Sequence, residues 1–175
     1  MLEDLNRWAV PHEQLPKTLF FVRHENSQID SEDKWNSHME GERPKELSLS
    51  MMGGITAACP KALINCPCKI TNIVDLYRKM NRHLRWTNQR RPSCFVSTFG
   101  SFKDAMLWGG QLPGIVRIYS IVTTELPPMP FVHVFRPSDF NVSWPKEEYL
   151  FLHQIPDRGI EYFAILSDYL KTTSE

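Results

Sequence analysis

Residues 93–110 read SCFVSTFGSFKDAMLWGG, and they open the stretch from Ser93 to Glu148 around which the rest of the chain is organised. The run Phe95–Phe99 is apolar apart from two hydroxyl side chains, Ser97 and Thr98, which is typical of a short strand with polar groups towards its end. Ser101 and Asp104 have the spacing of a helix capping box, so we expect a helix to begin directly after the strand. The following Gly109-Gly110 is predicted to end that helix.

Strands are also predicted on both sides of this stretch. On the N-terminal side, Lys17–His24 is rich in β-forming residues, and its alternation puts Leu19, Phe21 and Arg23 on one face and Phe20, Val22 and His24 on the other. On the C-terminal side, four more stretches have the pattern of strands: Ile115–Val122, Phe131–Phe135, Tyr149–His153 and Ile160–Ile165.

The strongest helix signal lies between these strands, at Thr71–Trp86. Its apolar residues form one stripe at helical spacing: Ile73, Leu76, Tyr77, Met80 and Leu84. Asn72 followed by Asp75 is a start signal, and arginines near the C-terminal end suit the helix dipole. The basic cluster of Arg82, Arg85, Arg90 and Arg91 is interpreted either as a phosphate contact or as a solvated face.

The order of these elements indicates an α+β protein. Met1–Pro16 is predicted to be a short helix or arm, and Glu25–Met52 a long polar loop. No repeat and no domain boundary is visible, and strands and helices do not alternate regularly. We therefore expect a single domain over residues 1–175, with its core at about residues 17–166.

The composition excludes several classes of function. The chain has 175 residues, 42% of them hydrophobic, with 20 Lys and Arg balanced by 20 Asp and Glu. A nucleic-acid partner is not expected, because such proteins carry clustered excess cations. No apolar run approaches the roughly 20 residues of a membrane span. The acidic start is unlike a signal peptide, so we expect a cytoplasmic or nuclear protein, or a secreted one already trimmed.

The four cysteines do not form a zinc pattern. Cys66-Pro67-Cys68 lies near Cys59, and Cys94 is separate. Free thiols in a reducing compartment are one interpretation, and a disulfide from Cys59 to Cys66 or Cys68 is the other. We expect no metal site, because the six histidines are not spaced as ligands.

Three motifs in order carry a resemblance to a known fold. Phe21-Val22-Arg23-His24 ends the early strand, Phe95–Phe99 holds Ser97-Thr98, and Trp144–Glu148 enters a later strand. This order resembles the ADP-ribosyltransferase fold, and most closely its cholera-toxin-type branch with Arg, Ser-Thr-Ser and Glu-x-Glu motifs. The chain also resembles an uncharacterised fungal family of this fold, in His83-Leu84-x-Trp86, Arg91-Pro92 and Glu148–His153. The likeness covers about Leu19 to Ile165.

The resemblance implies a split β-sheet core with a helical insert after the first strand. It also implies NAD as the substrate of an ADP-ribosyltransferase or NAD glycohydrolase that cleaves the nicotinamide–ribose bond. Cleavage creates a positively charged sugar, which a fixed carboxylate stabilises. Glu148 would supply that carboxylate, Ser97 would orient it, and Arg23 would bind pyrophosphate or hold the cleft together.

The wider NAD site implied by the resemblance has five residues: Arg23, His24, Ser97, Thr98 and Phe99. Phe99 and Trp108 can form an aromatic wall for nicotinamide, or they can be ordinary core residues. Phe99 replaces the third serine of the toxin motif, and Lys146 replaces its first glutamate.

These departures argue against transfer to protein arginine and leave the acceptor open among water, a nucleotide and a protein. The alternative hypothesis is a binding module of this fold that has lost NAD chemistry.

Overall fold

The computed structural model describes residues 2–24, 55–56, 69–85, 93–142 and 147–166. Three α-helices lie in these ranges: α1 (Leu2–Trp8), α2 (Ile73–Leu84) and α3 (Phe102–Gly109). The strands are β1 (Thr18–His24), β2 (Ile55–Thr56), β3 (Phe95–Phe99), β4 (Val116–Val122), β5 (Val134–Phe135), β6 (Glu148–Leu152), β7 (Gln154–Ile155) and β8 (Ile160–Ile165). The protein is a mixed α+β structure built on an antiparallel sheet.

The main sheet has six strands in the order β5-β6-β3-β1-β4-β8. Strand β1 pairs with β4 along its whole length, and β3 pairs with β6 along its whole length. Between β1 and β3, in contrast, a single pair of described residues is in register, Phe20 opposite Phe99. The sheet therefore consists of two well-paired halves, β5-β6-β3 and β1-β4-β8, joined by a narrow seam.

Helix α2 forms where the sequence predicts it. The side chain of Asn72 caps it by accepting a hydrogen bond from the Asp75 N–H at 2.9 Å. Leu76, Met80 and Leu84 are buried in a core that belongs to the β5-β6-β3 half of the sheet, where Phe95 and Leu150 are among its members. Helix α2 thus covers one face of that half.

Helix α3 follows β3 as predicted. Ser101 accepts a hydrogen bond from the Asp104 N–H at 3.1 Å and donates one to the Asp104 carboxylate at 2.8 Å. The helix ends at Gly109 and packs through Ala105 on the core around Val22, Phe99 and Ile118.

The opposite face of the sheet is covered by a third cluster of buried residues. It takes Leu19, Phe21, Tyr119 and Ile121 from β1 and β4, and Val96, Val134, Tyr149 and Phe151 from the other half. Because both halves contribute, this core crosses the narrow seam.

Two predicted strands have different bounds in the structure: one is shorter, and the other, β6, keeps its length but begins and ends one residue earlier. Phe131–Phe135 was expected to be a strand, but only Val134–Phe135 pairs, and Phe131 is 78% exposed. At the end of β6, His153 has a positive φ of 70°, so the strand ends at Leu152 and the chain turns into β7. The two-residue strands β2 and β7, which pair with each other, were not predicted.

Among the described helices, none has the length and apolar character needed to cross a membrane.

Candidate functional site

Ser97 and Glu148 lie on one face of the sheet, on neighbouring strands. In the β3–β6 ladder, Ser97 is opposite Leu150 and Phe99 is opposite Glu148. Directly paired residues share a face, and so do residues two apart along a strand. Ser97 and Glu148 are therefore diagonal neighbours, with a Cα separation of roughly 7–8 Å that a glutamate side chain can span. Glu148 is buried, with 5% of its surface exposed.

The hydroxyl group of Ser97 has a histidine as its partner. His83, on the buried side of α2, places Nε2 at 2.7 Å from Ser97 Oγ. The His83 ring also meets the Phe95 ring edge-on, with the ring centres 5.8 Å apart. Burial lowers the pKa of His83 to about 4, so the ring is neutral near pH 7. A neutral imidazole has one N–H donor and one acceptor, so Nε2 can donate to Ser97 or accept from it.

Hydrogen bonds to Glu147 fix the start of β6, whose first residue is Glu148. The Gly100 N–H donates to the Glu147 carbonyl at 2.9 Å, and the Tyr149 hydroxyl donates to Glu147 Oε1 at 2.8 Å. A Cβ atom at Gly100 would come within 3.1 Å of the Glu147 carboxylate and the Tyr149 ring, so glycine permits this close approach. Burial and the bond to Glu147 raise the pKa of Tyr149 to about 12, so the phenol keeps its proton.

The other two motif residues of β3 serve the framework. Thr98 is completely buried on the opposite face from Ser97, and its hydroxyl donates to the Tyr149 carbonyl at 2.9 Å. Phe99 shares the face of Ser97 but is only 3% exposed, within the core beneath α3, where Trp108 packs at the margin. For Phe99 and Trp108, these positions are those of ordinary core residues.

Arg23 is not brought next to Ser97 and Glu148. Phe20 lies opposite Phe99 and hence on the Glu148 face, so strand alternation puts the buried His24 on that face and Arg23 on the other. Arg23 is also three residues, or about 10 Å, further along β1 than Phe20, which takes it away from the level of Glu148. Its direct neighbour across the ladder is Arg117 of β4. Two adjacent guanidinium groups could bind an anionic group. Such an anion would lie on the face of the sheet opposite Glu148.

Several sequence predictions fall outside the described residues. These are the loop Glu25–Met52, the cysteines Cys59, Cys66 and Cys68, the residues Trp86, Arg90 and Arg91, and Trp144, Pro145 and Lys146. Of the cysteines, Cys94 is within the described ranges, where it is a buried thiol and not part of a disulfide. In those same ranges, no three His, Cys, Asp or Glu side chains are grouped as metal ligands would be.

Sequence reasoning gave no role to two residues that the structure puts beside predicted ones. His83 appears in the motif shared with the fungal family, which was the available signal, but its contact with Ser97 joins residues 14 positions apart. Arg117 had no signal, because its position opposite Arg23 depends on the register between β1 and β4.

Comparison with protein-family models, with curated proteins and with solved structures finds no significant match for this chain.

Proposed function

We propose that this chain is an NAD-consuming enzyme of the ADP-ribosyltransferase type, either a transferase or an NAD glycohydrolase. The observation that carries the proposal is the diagonal placement of the buried Glu148 and of Ser97 on one face of adjacent strands. The narrow seam between two sheet halves and the helix α2 after β1 also fit a split-sheet fold with a helical insert. Arg23 lies on the opposite face of the sheet, so the proposed mechanism gives it no role in the reaction.

In the proposed reaction, the bond between ribose C1′ and the nicotinamide nitrogen breaks, and its electron pair goes to the nicotinamide ring. The ribose then carries positive charge, which the Glu148 carboxylate stabilises at close range. An acceptor oxygen bonds to C1′ and loses its proton to solvent. With water as the acceptor, NAD and water give ADP-ribose, nicotinamide and a proton.

Ser97 and His83 would fix the position of that carboxylate. Ser97 has one hydroxyl proton, so it can donate a hydrogen bond to Glu148 only if it does not donate that proton to His83. The neutral His83 ring with its proton on Nε2 meets this need, since Nε2–H then donates to Ser97 Oγ across the 2.7 Å contact. The proposed chain of hydrogen bonds would run from His83 through Ser97 to Glu148. His83 is accordingly a positioning residue for Ser97.

The test is release of nicotinamide from NAD by the purified protein. Glu148→Gln should lower the rate by about 100-fold or more, because the substitution removes the charge that stabilises the transition state. Glu147→Gln is the matched control: Glu147 is adjacent and exposed, and its side chain bonds to Tyr149 on the other face. Equal rates for wild type and Glu148→Gln would refute the mechanism.

A second candidate function is a binding module without NAD chemistry. It is favoured by Phe99, which stands in the core where the resembled motif has a hydroxyl, and by Arg23, which lies on the other face. Titration of NAD into the protein in a calorimeter separates the two candidates. Saturable binding of NAD supports the enzyme, and the absence of binding supports the module.

The acceptor remains a prediction from the sequence. Lys146 replaces an acidic residue of the toxin motif, and a cation repels an incoming guanidinium. We therefore expect water or a nucleotide-like acceptor to be favoured over arginine, and Lys146→Glu to shift transfer towards agmatine. The assay compares labelled ADP-ribose incorporation with nicotinamide release for both proteins. Efficient arginine modification by the wild type would contradict this expectation.

A further inference from the structure

Helix α2 has more apolar surface than the core covers. Of its predicted stripe, Leu76, Met80 and Leu84 are buried, but Ile73 is 38% exposed and Tyr77 is 39% exposed. The neighbouring Val74, outside the stripe, is 52% exposed. Single exposed apolar residues are common on protein surfaces and need no explanation, whereas these three lie together in the first two turns of one helix.

Arginines adjoin this apolar group. At about 100° per residue, Val74, Tyr77, Arg78 and Arg85 fall within an arc of roughly 100° on the helix. Arg78 and Arg85 are exposed, and neither forms an ion pair with a carboxylate in the described part of the chain. We call Val74, Tyr77, Arg78 and Arg85 the outer patch, and Ile73 lies at its edge on the core-facing side of the helix.

The acidic residue of α2 does not neutralise the outer patch. Asp75 lies outside that arc and is held by Lys79, with 2.9 Å between Lys79 Nζ and Asp75 Oδ2, and by the Thr71 N–H at 3.0 Å. The patch therefore combines exposed apolar side chains with positive charge that no carboxylate among the described residues pairs with.

We propose that the outer patch docks an acidic amphipathic segment of a partner protein. Carboxylates of such a segment pair with Arg78 and Arg85, while its apolar side chains cover Val74 and Tyr77. Tyrosine and arginine are the residue types that contribute most at protein interfaces. A nucleic acid would use the arginines and could stack on Tyr77, but it would leave Ile73 and Val74 without an apolar partner.

The patch is preformed and separate from the proposed reaction. The Asn72 cap and the buried leucines fix α2 on the sheet, and His83 lies on the far flank of the helix from Val74. Binding to the patch is thus measurable without NAD. Because two to three helical turns make an interface well below the standard size, we expect weak binding that falls with salt.

The experiment uses the full chain and a fluorescently labelled helical peptide with glutamates along one side and leucines beside them. Anisotropy should show saturable binding at low ionic strength, about tenfold weaker for Arg78→Glu combined with Arg85→Glu. Tyr77→Ser should weaken binding by a similar factor at unchanged charge. The matched control, Lys103→Glu combined with Arg7→Glu, reverses two exposed cations on other helices and should bind as the wild type does. Circular dichroism checks that each variant is folded.

Three results would overturn the proposal. In the first, the patch variants bind the peptide as tightly as the wild type. In the second, charge reversal weakens binding and Tyr77→Ser does not, which identifies general charge attraction. In the third, single-stranded oligouridylate binds more tightly than the peptide at equal salt and loses affinity in the same arginine variant, which identifies a nucleic-acid surface.

Discussion

Adjacent residues on β3 have different roles because side chains alternate along a strand. Thr98 points into the core shared by both sheet halves and bonds to the Tyr149 backbone, whereas Ser97 points to the other face and meets His83. The two hydroxyl groups are adjacent in the sequence, but successive side chains of a strand point to opposite faces of the sheet. Of these two hydroxyl groups, that of Ser97 is therefore the one on the Glu148 face of the sheet.

The pKa of His83 gives a prediction about stability and pH. In the unfolded chain, a histidine takes up a proton as the pH falls through about 6.5, but folded His83 does so only near 4. The unfolded state thus binds more protons between these values, and stability falls as the pH is lowered from 6.5 to 4. Urea unfolding gives the free energy of unfolding of wild type and of His83→Gln across this pH window. The excess of the wild-type value over that of the variant should fall by about 2–3 kcal/mol as the pH is lowered to 4. Parallel stability curves for the two proteins would contradict the assignment.

At the scale of elements, local signals predicted the helices well. Asn72 with Asp75 and Ser101 with Asp104 are capping pairs within one turn, and both form in the structure. Strand ends were harder to predict, because they depend on residues far away in the sequence. Strands β2 and β7 have two residues each and exist only as partners of one another, so neither has a pattern of its own.

The cap of α2 allows a direct test of this local control. Asn72→Ala removes the side-chain acceptor for the Asp75 N–H and should lower the free energy of unfolding by about 1 kcal/mol. Asn72→Asp keeps an acceptor at the same place and should retain most of the stability, with some gain from the helix dipole. The measurement is the urea midpoint of the three proteins. A loss of equal size in both variants would show that the side chain's shape, and not its hydrogen bond, matters.

At the scale of the whole molecule, the sequence predicted an α+β protein but not which strands are neighbours. β1 lies between β3 and β4, so its position in the sheet is set by pairings to residues about 80 to 100 positions later. The candidate site depends on such pairings: the β3–β6 register puts Glu148 diagonal to Ser97, and the β1–β3 pair puts Arg23 on the other face. Residue types alone could not separate these outcomes.

The narrow seam raises the question of what couples the two halves of the sheet. One register pair provides little ladder hydrogen bonding, whereas the core around Phe21 and Tyr119 takes side chains from both halves, with the Phe21 and Tyr119 rings 5.8 Å apart. We infer that this shared core makes unfolding cooperative. The core beneath α2, around Leu76, belongs to the β5-β6-β3 half alone.

Two core truncations should therefore have different effects on amide hydrogen exchange. Phe21→Ala removes a ring that is 1% exposed in the shared core, so it should cost about 3–5 kcal/mol and speed exchange in β4 and β6 together. Leu76→Ala, at a fully buried position, should cost about 2–5 kcal/mol and speed exchange in β6 before β4, because its contacts lie in one half. If Phe21→Ala changed exchange in β4 and left β6 protected, the halves would unfold separately, and the inference that this shared core couples them would be wrong.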